Sequence, residues 1–161
     1  MVPRMLSHST LARIRHLIEA NFAGRDELYA ALETLDDDAR KNICKRLAEH
    51  LAGHAVELSQ ILLANGHGKY DLSEVEFIDH LAERTFLEMV KDIYGESRVL
   101  AAIEQCERNL KDKYDRMLTS MPEVETEGIL QHQRGEVEFG EQVLHTMQKA
   151  TRKDNEDADP E

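Results

Sequence analysis

Apolar residues recur along most of this chain in steps of three, four and seven, the spacing that lines one face of an α-helix. Leu11, Ile14, Ile18, Phe22, Leu28, Leu32 and Leu35 mark a first helix of about 10–35, with Ser9 as its N-cap. The run Asp36-Asp37-Asp38 ends it, and one of these aspartates caps the next helix. So short a connection forces an antiparallel hairpin. The second helix covers about 38–65, with an inward stripe of Ile43, Leu47, His50 or Leu51, His54, Leu58 and Ile61. Gly66 suits the left-handed residue that closes it.

Ser73-Glu74-Val75-Glu76 has the form of a capping box, opening a helix of about 74–94 that carries Phe77, Leu81, Phe86 or Leu87, and Val90. Gly95 ends it, and Ser97 is placed to cap a helix of about 98–120. The seam of that helix is the most regular in the chain: Leu100, Ile103, Glu107, Leu110, Tyr114, Met117 and Met121. Pro122 interrupts the chain and suits the first turn of a last helix reaching about 150. Two inward faces compete there. One is Ile129, His132, Glu136, Phe139, Val143 and Met147; the other is Leu130, Gln133, Val137, Gly140 and Leu144. The pattern predicts an all-α fold, an antiparallel four-helix bundle with an additional helix connecting helices two and three. It forms one domain over about 10–150, flanked by a tail at 1–9 and an acidic, disordered tail at 151–161.

Composition narrows the function classes. With 32 acidic against 20 basic residues, the formal charge of −12 disfavours nucleic acid and anionic membranes as partners. No apolar run approaches the roughly 20 residues of a membrane span. Cys44 and Cys106 form no metal or redox motif and no disulfide framework, which fits a reducing compartment. The expectation is a cytoplasmic protein. Glycine-rich phosphate loops and nucleophile-elbow motifs do not occur. Each cysteine reads as a small apolar residue on a helix flank. Asp79-His80 with Glu76 reads as a solvated helix face, and Tyr29 and Tyr114 as core tyrosines that need hydrogen-bond partners.

Several stretches resemble a known family. Phe22-Ala-Gly-Arg-Asp-Glu-Leu-Tyr-Ala-Ala31, Leu35-Asp-Asp-Asp-Ala-Arg40 and Arg46-Leu-Ala-Glu-His-Leu-Ala-Gly-His-Ala-Val-Glu-Leu58 belong to the resemblance, as does Asn65-Gly66. So do Ile103-Glu-Gln-Cys-Glu-Arg108, Lys113-Tyr114 and a last helix with Gln133 and Glu136-Val137. Together they resemble a bacterial ferritin-like family of unknown function, small proteins described as four-helix-bundle or stress-associated domains. The resemblance implies a ferritin-like bundle with a long connection between helices two and three. It implies no established reaction. The lysines of Asn109-Leu-Lys-Asp-Lys113 stand where the family pattern leads one to expect acids.

At a rise of about 1.5 Å per residue, His50, His54, Glu107, His132 and Glu136 all fall near mid-height. Imidazoles and carboxylates suit iron, zinc or manganese. Against that set, the chain has no Glu-x-x-His, the motif of di-iron bundles. Helix one also brings Arg25 to the same level, where it would pair with Glu107. Two readings follow. In one, Arg25 and Glu107 form a buried polar layer with histidines nearby, no cofactor is bound, and the protein is a non-catalytic, self-associating bundle, a homo-oligomer such as a dimer. In the other, the five residues hold iron or zinc.

Overall fold

The computed structural model describes residues 6–66, 81–120 and 124–157, nearly all of them in helices. Helix α1 spans His8–Thr34, α2 Asp38–Ala64, α3 Leu81–Tyr94, α4 Glu96–Ser120 and α5 Val124–Asp157. The capping box at Ser73 and the break at Pro122 lie outside the described residues.

The caps follow from side-chain chemistry. Ser7, not Ser9, caps α1, accepting from the Thr10 amide at 3.2 Å. Asp37 caps α2, accepting from the Ala39 amide at 3.3 Å. Gly66 and Gly95 take φ of 79° and 88°, the left-handed conformation that glycine adopts without strain. Helix α4 begins one residue before Ser97, so that serine sits in its first turn. The Glu96 carboxylate accepts from the Asp36 amide at 2.7 Å and from Arg40 at 3.1 Å, tying the α1–α2 turn to the start of α4. Helix α5 runs on to Asp157, past the end expected near 150, with Thr151 buried and its hydroxyl donating to Met147 O.

The four long helices pack as two hairpins, α1 with α2 and α4 with α5. Arg13 meets Ser120 and Asn21 meets Tyr114, so α1 and α4 run antiparallel. His54 meets Glu136 and Glu57 meets Gln133, so α2 and α5 do too. With α1 taken as up, the order of the long helices is up, down, down, up. Helix α3 lies against α1 and α4, where Arg84 pairs with Glu33 and Lys91 with Asp36, both at 3.1 Å.

One core of Leu, Ile, Ala and a few larger side chains fills the space between the hairpins. The α4 seam is inward from Leu100 to Met117, as its spacing predicts. On α5 the second of the two faces is the inner one: Leu130, Gln133, Val137 and Leu144 are essentially inaccessible, and Phe139 is 61% exposed. On α3, Leu87 turns in and Phe86 turns out. Gly24 lets α2 approach, because a Cβ there would lie 2.8 Å from Leu51 Cδ1. Gly53 is different: it is exposed within α2, and a Cβ would meet nothing within 4 Å. Gly53→Ala is therefore expected to stabilise the protein by about 0.5–1 kcal/mol, through helix propensity alone. Urea unfolding would check this, and a loss of stability would show that Gly53 serves a contact beyond the single chain.

Candidate functional site

The midsection is polar, but its members differ from those the spacing suggests. Asn21 on α1 is fully buried and donates to Leu17 O at 2.8 Å and to Tyr114 Oη at 2.9 Å. The Tyr114 hydroxyl donates to Gln133 Oε1 at 2.7 Å. Gln133 then donates to Glu57 Oε1 at 2.8 Å and to the His54 carbonyl at 3.3 Å. These bonds cross all four long helices. A buried tyrosine and glutamine need such partners, since each unpaired group would cost about 1–3 kcal/mol. Burial pushes the Tyr114 phenol well above its ordinary pKa, so it stays a donor.

One turn along the α2–α5 boundary, Glu136 is shared by two histidines. Its Oε2 lies 2.6 Å from His54 Nε2, and its Oε1 lies 2.8 Å from His132 Nε2. The His54 side chain is only 7% exposed, whereas that of His132 is 71% exposed. Burial lowers the pKa of His54 and outweighs the pull of Glu136, so its imidazole is neutral at pH 7 and donates Nε2–H to the carboxylate. Its Nδ1 is buried without a hydrogen-bond partner. For Glu136, burial acts upward. The hydrogen bond from His54 and the nearby His132 and His50 outweigh it and hold the carboxyl below its usual range. His50 is exposed and, with His132, Glu136 and Phe139, lines a shallow crevice of about 440 Å³.

The five residues with metal-ligand chemistry thus do not converge on one centre. His54, His132 and Glu136 come together, and His50 stands beside them on the outside. Glu107 sits deep in the core at the level of Gly140 and Leu47. A Cβ on Gly140 would lie 3.3 Å from Leu47 Cδ2, tighter than an ordinary contact, and 3.5 Å from Glu107 Oε2, so the carboxyl packs directly against this glycine. Among the described residues, no group of three or more His, Cys, Asp or Glu side chains is arranged to hold a metal ion. The expected inward pairing of His50 with His54 also fails. The buried stripe of α2 is Cys44, Leu47, Leu51, His54 and Leu58, which leaves His50 outside.

The expected Arg25–Glu107 pair is replaced as well. Arg25 Nη2 meets Asp26 at 2.8 Å, and the guanidinium stacks on Phe22 at 4.6 Å. Glu107 is left to protonation: burial first, then the charges of Glu27 and Glu141, raise its pKa to about 8. Burial likewise pushes the Cys44 thiol up to about 12, so it is inert at neutral pH, and Cys106 is half-buried. Tyr114 joins the polar chain, and Tyr29 packs half-buried at the edge of the core. Asp79, His80 and Glu76 lie outside the described residues.

Hydropathy could not single out Gln133 or Glu57. The signal available was Gln133 standing in register with Leu130, Val137 and Leu144. Comparison with protein-family models, with curated proteins and with solved structures returns no match. No helix among the described residues is long and apolar enough to cross a membrane.

Proposed function

We propose that this chain is a ferritin-like four-helix-bundle protein of the cytoplasm with a structural or stress-related role, acting by association with itself. The up-down-down-up order of the long helices supports the ferritin-like part, because one long crossover between helices two and three is the mark of that topology. The observation that carries self-association is on α3. Phe86, Met89 and Ile93 are 54%, 51% and 63% exposed, and their spacing of three and four puts them on one helix face. Inner neighbours Leu87 and Val90 pack on the core, so both flanks of α3 are apolar while, among the described residues, only one is covered. Such a stripe marks an interaction surface, and a two-fold axis through Met89 would pair it with its copy.

Sedimentation equilibrium on the full chain at about 50 μM is expected to show a dimer, which Met89→Glu with Ile93→Glu converts to a folded monomer. A parent protein that stays monomeric would overturn the proposal. So would one equivalent of iron or zinc in untagged protein, lost on His54→Ala. That result would install the alternative reading, a metal-binding bundle resting on His50, His54, His132 and Glu136 without Glu107.

A further inference from the structure

The face of α1 and α4 not covered by α3 carries an open groove of about 680 Å³, within the size range of ligand sites. Its floor is apolar, formed by Leu17, Ala20 and Ala23 from α1 and Met117 from α4. The two alanines keep it open where longer side chains would close it. Its rim is cationic. Arg13 stands at one end, with its guanidinium on the Ser120 hydroxyl, and Lys113 and Arg116 line the α4 wall. Among the described residues, neither Lys113 nor Arg116 pairs with a carboxylate. Glu19, on the α1 wall, faces His16 at 3.7 Å. Three cations around an apolar floor are out of keeping with a chain of formal charge −12.

We propose that this groove binds a free single-chain amphiphile with an anionic head, of the long-chain carboxylate type. The antiparallel packing of α1 and α4 gives the site a direction. The Arg13–Ser120 contact lies at one end, and Arg116 is one helical turn from Ser120, so an anionic head can meet both guanidiniums there. From Arg13 to Ala23 the groove runs about 15 Å at the helical rise of 1.5 Å per residue. An apolar chain laid along Leu17, Met117, Ala20 and Ala23 would leave water over that length. A peptide helix, about 10 Å across, would run into the Arg13–Ser120 bridge if it continued along the groove, whereas a single-chain amphiphile ends there with its head.

The test is calorimetric titration of the full chain with dodecanoate, below the concentration at which it forms micelles. Butyrate, dodecanol and an acidic amphipathic peptide serve as comparisons. Dodecanoate is expected to saturate a single site, with butyrate and dodecanol each at least about tenfold weaker, since one lacks the tail and the other the charge. Lys113→Glu with Arg116→Glu, both at exposed positions, is expected to weaken dodecanoate by about tenfold or more. Ala20→Trp, which fills the floor, is expected to abolish binding. If Ala20→Trp does not fold, the charge-reversal pair decides. The proposal is overturned by absence of saturable dodecanoate binding, by equal affinity in the charge-reversed protein, by dodecanol binding equally well, or by the peptide binding where dodecanoate does not.

Discussion

Gln133→Leu is expected to lower the unfolding free energy by about 2–4 kcal/mol although the substitution barely changes side-chain volume. The loss comes from what is left behind. The Tyr114 hydroxyl loses its acceptor, and Glu57 and the His54 carbonyl lose their donor. Tyr114→Phe is expected to cost about 1–3 kcal/mol by orphaning Gln133 Oε1, with Asn21 keeping its bond to Leu17 O. The decisive measurement is the pair together. Once both partners are gone there is nothing left to orphan between them, so the double variant should be at least about 1 kcal/mol more stable than the two single losses added. Denaturant unfolding at pH 7 gives all four values. Additivity within about 0.5 kcal/mol would mean that the bonds seen between these side chains carry no coupling energy.

Glu107→Gln is expected to act in the opposite direction and to depend on pH. Below its unfolded pKa of 4.5, the carboxyl is protonated in both the folded and the unfolded chain. Between 4.5 and about 8 the unfolded chain releases this proton and the folded one retains it. Stability therefore falls as pH rises through that window, and the deficit is complete above it. Glutamine has the same shape and never ionises. The variant should exceed the parent by a few kcal/mol near pH 9, a rise in melting temperature of about 5 °C or more, and should lose that advantage near pH 5. Melting curves across the range test this. A difference independent of pH would show that Glu107 is not the group whose charge the core resists.

How far the sequence reveals this arrangement depends on which residue is asked. The α4 seam was legible because Leu100, Ile103, Leu110, Tyr114 and Met117 repeat without a competing face. Helix α5 was not, because Ile129, Phe139 and Val143 offer a second apolar row, and the true inner row contains a glutamine and a glycine. Only the partners of Gln133, which come from two other helices, α2 and α4, settle the choice. His50 falls on the inner stripe of the sequence pattern for a related reason. It is adjacent to Leu51, and neighbouring residues on a helix point about 100° apart. A stripe drawn through both is too wide, and Cys44, Leu47, Leu51 and Leu58 narrow it to the histidine at 54. Matching height alone pairs Arg25 with Glu107, and adjacent residues on a helix do not normally face each other, yet its carboxylate is the next residue, Asp26. Spacing put His132 and Glu136 together correctly, one turn apart, but not their depth: they lie at the rim of the α2–α5 boundary, not its centre.

The polar chain is divided between the hairpins in a particular way. Asn21, Glu57 and the His54 carbonyl belong to the α1–α2 hairpin; Tyr114 and Gln133 belong to the α4–α5 hairpin. Neither half can complete the bonds between them alone, and each half carries the groups that complete the other. The molecule is in this sense a lock whose two parts are made on one strand. Cleaved between α2 and α3, it would yield two fragments whose apolar faces could accept many partners but whose buried hydrogen bonds are matched by one, each other, in a single register.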